Sequence, residues 1–329
     1  MRSLPYVAGA AASVLFAMVP AVPAAADDGG FTLRDPRITE SSGLAASRLH
    51  PGIYWTHNDS SDGPYVYAVD SRTGETVARV TMRGVGAPRD VEAISIGPDG
   101  DIYVGDIGDN LDGAWDHVWI YRFPEPKQLK DATVRATQYT VKYADGARNA
   151  EALMVQPKTG RVYIASKNED KGGGLYVGPG KLSAAKTNVF RRIGHVPWVT
   201  DGAFSPDGKQ LTVRGYLGAW TYAWKPGGDG GLGAVHELSV PFQGQAESVT
   251  YTPDGSALMM GSEGAQSRVE RFAVEKPKGP RGGSGTSPQG AGSADGGDGS
   301  GLSPTAWGVA VFGGLFVLFL AVRKLFRRR

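Results

Sequence analysis

The stretch DVEAISIGPDGDIYVGDIGDN, residues 90–110, reads as two antiparallel strands joined by a tight turn. Val91, Ala93, Ile94 and Ile96 carry the apolar character of the first strand, and DIYV is the β-branched and aromatic type that fits a pleated surface. Gly97-Pro98-Asp99-Gly100 lies between them. Proline presets φ there, aspartate can bond its own backbone, and glycine accepts positive φ. Glu92 opens the first strand, and Asp106, Asp109 and Asn110 follow the second. The start of one antiparallel strand lies beside the end of the next, so these oxygens should share one sheet edge.

The same module recurs outward from this stretch. Strands that open on an acid are ITESSGLA (38–45), DVEAISI (90–96), NAEALMV (149–155), VTDGAFS (199–205) and QAESVTY (245–251). Their acids, Glu40, Glu92, Glu151, Asp201 and Glu247, stand 52, 59, 50 and 46 residues apart. That interval is near the length of a four-stranded propeller blade. Four of these strands run into related turns, IGPDGD, QPKTGR, SPDGKQ and TPDGSA. Fourth strands are expected at TVARVTM, TQYTVKY, NVFRRIG and HELSVPF, whereas the fifth unit ends near Glu275 without one. FTLRDPRI (31–38) precedes the first unit as the fourth strands precede the others. It is expected to complete the last unit and close the ring, which removes open sheet edges.

The expected fold is therefore all-β: a β-propeller of five four-stranded blades closed by the N-terminal strand. Six blades is the other count, since residues 112–140 have room for a further strand, though not comfortably for a whole blade. A β-sandwich does not explain an acid at the same place in each repeat.

First strands line the channel of a propeller, so the five acids should ring one of its mouths. Carboxylates crowded in a partly desolvated channel must be protonated, hydrogen-bonded or bound to a cation. With no cysteine and five histidines, Ca²⁺, a hard ion that takes many oxygen ligands, is the expected cofactor. The competing reading has the acids accept backbone N–H bonds between adjacent blades. The second-strand ends add His57, Asn58, Asp59, Asp106, Asp109, Asn110, Lys167, Arg214 and Glu263 as candidate rim residues. Lys167 and Arg214 beside a metal would suit a small anionic ligand such as a phosphate or carboxylate. His57 is either a base or ligand, or a hydrogen-bonded structural histidine. The chain has no GxSxG or HExxH motif, and GVGAPRD (84–90) precedes a strand without a helix, so it is not a phosphate loop. No catalytic residue is assigned.

Composition sets the outer limits. The 329 residues carry 35 Lys and Arg against 33 Asp and Glu. Arg2 and five cations after Val322 lie in targeting segments, which leaves residues 27–322 at a net charge of −4. A mildly acidic domain argues against a nucleic-acid footprint, and a monomer is expected. Residues 1–26 read as a secretory signal, with Arg2, an apolar run and Ala24-Ala25-Ala26. Residues 31–275 would form the propeller, and 276–304, mostly Gly, Ser and Pro with almost nothing apolar, a disordered linker. Residues 305–322 would form a transmembrane helix: the uncharged run 306–322 reaches roughly 26 Å. The basic tail 323–329 would stay on the cytoplasmic side, placing the propeller outside the cell.

ESSGLA, followed by WTHNDS, YAVD and YVGDIGDN, resembles a group of secreted actinobacterial propeller proteins described as WD-repeat-like or esterase-like-phytase-like. One acid per blade at a channel mouth also resembles calcium-activated apyrase, a five-bladed nucleotidase whose central Ca²⁺ is held by Glu and Ser from successive blades. The resemblance implies metal-ligand roles for Ser42, Glu92, Glu151 and Glu247, with Asp201 departing from the pattern. It covers only short strand starts within 38–275. Two functions follow as expectations: an extracellular module that binds a ligand or a protein partner, favoured because no base–nucleophile pair is evident, or a Ca²⁺-dependent hydrolase of phosphate esters, diphosphates or lactones.

Overall fold

Strands that line a ring between neighbouring sheets are covered on both faces, and the burial of the acid-opening strands has that character: almost every residue of them is inside. The computed structural model describes residues 29–60, 62–110, 113–167, 173–240 and 242–274. All regular structure among them is β, and no helix among them is long and apolar enough to cross a membrane. The expected signal (1–26), linker (276–304), membrane helix (305–322) and tail (323–329) lie outside the described residues.

A short strand, β1 (Phe31–Thr32), comes first. The chain then makes successive antiparallel runs. The first comprises β2 (Ser41–Ala46), β3 (Ile53–Asn58), β4 (Tyr65–Asp70) and β5 (Thr76–Arg83). The second comprises β6 (Val91–Ile96), β7 (Asp101–Asp106), β8 (Val118–Pro124) and, after an intervening strand β9 (Ala132–Arg135), β10 (Thr137–Tyr143). The intervening β9 leaves this run to pair in parallel with β5. The third run is β11 (Ala150–Val155), β12 (Val162–Ser166), β13 (Gly173–Val177) and β14 (Asn188–Val196). The fourth is β15 (Asp201–Phe204), β16 (Gln210–Arg214), β17 (Ala219–Lys225) and β18 (Gly231–Leu238). The last holds β19 (Ala246–Tyr251), β20 (Ala257–Ser262) and β21 (Arg268–Ala273), and β1 completes it by pairing with β21, Phe31 opposite Val269.

The first strands of these runs pack side by side in a closed circuit: β2 on β6, β6 on β11, β11 on β15, β15 on β19, and β19 back on β2. The apolar clusters lie between successive runs rather than within them. Trp55, Val66 and Val80 meet Ile94, Ile102 and Tyr121; Ile120 and Val141 meet Leu153 and Phe190; Met154 and Leu175 meet Leu211 and Trp224. Ala219 meets Val249 and Met260, and Leu33 and Tyr67 meet Met259 and Val269. Each sheet is thus held by its two neighbours, which explains continuous burial where a one-faced sheet would alternate.

Local chemistry behaves as the turn sequences dictate. Gly100, Gly160, Gly208 and Gly255 all adopt φ near +70 to +80° at the same point of the inner hairpins. Asp99, Asp207 and Asp254 accept backbone N–H bonds two residues on. The 112–140 region contains one further strand, β9, as its length allowed, and it adds to the outer edge of the first sheet. Two expectations shift. The closing segment 31–38 contributes only two paired residues. The fourth strand expected at HELSVPF begins instead at Gly231, because the turn at Gly227–Gly230 is tight enough to return the chain directly against β17.

Leu33 is almost wholly buried beside β1, and its N–H donates to the Ser267 carbonyl, so closure depends on it. Leu33→Ala is expected to lower unfolding free energy by about 3 kcal/mol, read from the midpoint of urea denaturation.

Candidate functional site

Four inner strands carry a register shift at the same place, between Ser41 and Leu44, Val91 and Ala93, Ala150 and Ala152, and Ala246 and Ser248. A bulge leaves a residue unpaired and re-aims its side chain. The bulged residues include Ser42, Glu92, Glu151 and Glu247. β15 has no such shift, and Asp201 stays paired opposite Arg214. Glu40 lies two residues before Ser42, is only half-buried, and does not occupy the equivalent position; Ser42 does.

The acids have separate fates. Ser42 Oγ donates to Glu92 Oε2 at 3.0 Å. Burial pushes Glu92 well above the usual carboxylate range, helped by the charges of Asp59, Glu151 and Asp90. Glu151 Oε1 lies 3.1 Å from Lys167 Nζ. Burial raises the Glu151 carboxyl, and Lys167 pulls against it. Burial alone would lower Lys167, but Glu151 and its neighbours carry it well above its ordinary value, so it stays charged. Lys167 also donates to Tyr216 Oη at 3.2 Å. Asp201 accepts from Gly202 N at 2.7 Å and from Val249 N, on the next inner strand, at 2.8 Å. It is raised by burial and ties adjacent strands together, as the competing reading of the ring supposed. Glu247 is buried with no hydrogen bond from its side chain to another described residue, and burial pushes it up to about 8.

The rim candidates also divide. Asn58 Oδ1 accepts from Thr39 N and Glu40 N, both at 3.0 Å, and Asp106 accepts from Asp90 N at 2.9 Å and Tyr121 Oη at 2.6 Å. The two stand opposite Ser41 and Val91 respectively, and both hold the backbone leading into an inner strand. Arg214 is almost fully buried, donates to Ser248 O at 2.8 Å and Gly261 O at 2.7 Å, and is lowered to about 10 by burial. It stitches two sheets together and offers no exposed charge for a ligand. His57 is fully buried, with Nδ1 3.1 Å from Asn58 O, and burial holds it at about 4. Its Nε2 is buried and has no hydrogen-bond partner among the described residues. Glu263 accepts from Gln245 Nε2 at 2.6 Å. Asp109 Oδ2 accepts from Trp115 N at 2.7 Å, and its buried Oδ1 has no partner among the described residues.

The tightest acidic group joins one predicted ring acid, one predicted rim acid and one residue that sequence reasoning missed. Asp59, Asp90 and Glu92 are all buried, and one oxygen of each lies within 4.8 Å of the others. That is about twice a Ca–O distance of 2.3–2.6 Å, so a single hard cation could touch all three. The signal for Asp90 is that it is a second acid at the same inner strand start, immediately before β6. Asp59 arrives because its carbonyl accepts Val91 N at 2.8 Å as the chain crosses to the next inner strand. Asn110 Nδ2 donates to Asp90 Oδ2 at 2.8 Å. A Cβ on Gly108 would come 2.6 Å from Asp90 Oδ2 and 2.8 Å from Glu92 Cγ, so this glycine lets the loop close over the acids.

No family model matches the sequence, and no curated protein does. Among solved structures, the chain is similar to a gluconolactonase from Xanthomonas campestris, with 15% identity over 73% of this chain and 89% of that one, at a TM-score of 0.43. It is also similar to a putative oxidoreductase (glucose dehydrogenase) from Thermus thermophilus, with 15% identity over 71% and 83% and a TM-score of 0.42. Kuenenia stuttgartiensis hydrazine synthase gives 16% identity over 68% of this chain and a TM-score of 0.39, and the chain spans 61% of its length.

The titrations set a pH dependence. Glu247 binds its proton more tightly folded than unfolded, so between about pH 4.5 and 8 the native state holds the extra proton and stability falls as pH rises. His57 has the opposite sign below its unfolded value near 6.5, where the native state refuses a proton. The window from 6.5 to 8 isolates the carboxyls. The melting temperature of metal-free protein is expected to fall across it, and Glu247→Gln to flatten that slope.

Proposed function

We propose that this chain is an extracellular, membrane-anchored five-bladed β-propeller whose acidic mouth holds Ca²⁺ and binds a small anionic ligand. The observation that carries the reading is the convergence of Asp59, Asp90 and Glu92, buried carboxylates with oxygens within 4.8 Å of each other. Three such groups face mutual repulsion and desolvation unless protons or a cation relieve them. Ca²⁺ would be held by these three carboxylates, and Glu247, which has no hydrogen bond to another described side chain or backbone group, stands among the same charges. Lys167, held charged beside Glu151, supplies the fixed cation for an anionic group. The closed circuit of inner strands supports five blades, and the apolar run before the basic tail supports the anchor.

Glu247 favours a second reading. A carboxyl raised to about 8 and not held by hydrogen bonds suits a general base near neutral pH. Bound Ca²⁺ would supply Lewis-acid polarisation of a phosphoryl or acyl oxygen. On this reading Lys167 orients the substrate anion and Glu247 takes a proton from water, in a hydrolase of phosphate esters, diphosphates or lactones.

Ca²⁺ at a hundredfold excess over Kd should stabilise the protein by about 2.7 kcal/mol, visible in thermal melts. Asp90→Asn combined with Glu92→Gln is expected to abolish calorimetric Ca²⁺ binding, and Gly108→Ala to weaken it, while Glu40→Gln leaves it unchanged. Wild-type affinity in the double variant would refute the site. Ca²⁺-dependent phosphate release from nucleotides or phytate, lost in Glu247→Gln with Ca²⁺ affinity retained, would select the hydrolase; its absence with ligand-dependent stabilisation would select binding.

A further inference from the structure

The inner strands run away from the acids, and at their far ends the circuit encloses a different environment. A cavity of about 380 Å³ opens there, within the range of small-molecule sites. Leu44, Ile94, Ile96, Val155, Phe204 and Tyr251 face it, drawn from all five inner strands. The hairpin turns bring prolines to its edge, among them Pro157, Pro206 and Pro253. No carboxylate among the described residues lines this cavity, and one cation does, Arg48.

Arg48 is set up as an anion receptor. The acid whose charge bears most on it is Glu125, and Glu125 is already committed. Glu125 Oε1 accepts from Ser47 Oγ at 2.5 Å and Trp55 Nε1 at 2.8 Å, and Oε2 accepts from Arg48 N at 3.2 Å and Leu49 N at 3.3 Å. These bonds fix the backbone of the 47–49 loop and leave the guanidinium without an ion pair among the described residues. It donates one long hydrogen bond, Nη2 to Ile96 O at 3.4 Å. Loss of part of its solvent shell against the cavity wall lowers the Arg48 pKa, with Glu125 pulling the other way, although the residue as a whole remains exposed to water.

We infer that this far mouth is a binding site for a carboxylate-headed amphiphile, its aliphatic body among Leu44, Ile94, Ile96 and Phe204 and its head on Arg48. An Arg–carboxylate pair is planar and bidentate, which a guanidinium held at a cavity edge can offer without rearrangement. A chain of about ten carbons is a fitting size for the volume. The site does not depend on the acidic mouth and would persist without a cation there.

Decanoate titrated calorimetrically into the EDTA-treated protein tests this, with decanol as a neutral-head control. Saturable one-to-one decanoate binding is expected, weakened about tenfold by Arg48→Gln, with decanol affected little by the same change. Ala203→Phe, which fills the cavity from β15, is expected to remove binding of both. Arg48 makes one long hydrogen bond and no ion pair among the described residues, so its variant should melt like wild type and decide the matter even if Ala203→Phe misfolds. No decanoate binding at millimolar concentration, or equal affinity in wild type and Arg48→Gln, would overturn the proposal.

Discussion

Burial of the inner strands on both faces is the constraint from which the rest follows. A sheet that is apolar on both sides cannot stand alone, and here each hides its faces against the sheets before and after it. A linear stack would leave two such faces wet. The circuit closes because β1, the first strand, pairs with β21, the last, and because Leu33 and Ile38 sit in the same apolar cluster as Met259 and Val269. Polar stitches follow the same seams: Arg214 reaches carbonyls of the next sheet, and Asp201 takes the Val249 N–H.

Closure brings the inner strand starts together, and with them the charges. In water these carboxylates would titrate in the ordinary range. Drawn into one mouth, each is raised by loss of solvent, and each finds a different local settlement. Asp201 is bonded to backbone, Glu151 to Lys167, and Glu92 to the Ser42 hydroxyl. Glu247 has no such bond among the described residues. The inner strands are therefore polar at one end and apolar at the other, where Leu44, Ile94, Ile96 and Phe204 face the far cavity.

Much of the fold was legible because its signals are local and repeated. The PDG-type turns, the acids at near-regular spacing and the missing fourth strand of the last unit each follow from residues adjacent in sequence. What was least legible lay in loops. The tight return at Gly227–Gly230 moved β18, and β9 found a partner in another run. At the site, an offset of two residues matters: Glu40 precedes β2 and Ser42 lies within it, and the bulge register makes Ser42 the equivalent of Glu92.

Legible in the residues alone were the all-β class, the hairpin turns, the recurrence of the unit and an acid at four of the five inner strand starts, with Ser42 in the remaining one. These depend on alternation, turn residues and spacing, which operate within a few residues. Which acids meet depends on contacts between strands far apart in the chain. Asp59 and Asp90 belong to different loops, and nothing in their spacing foretells that a crossing backbone bond from Val91 to Asp59 brings them beside Glu92. The same holds for Asp106, Asn58 and Arg214: their chemistry suggested a rim, but burial and partners made them supports, because a charged group's role is set by what surrounds it after the chain has closed.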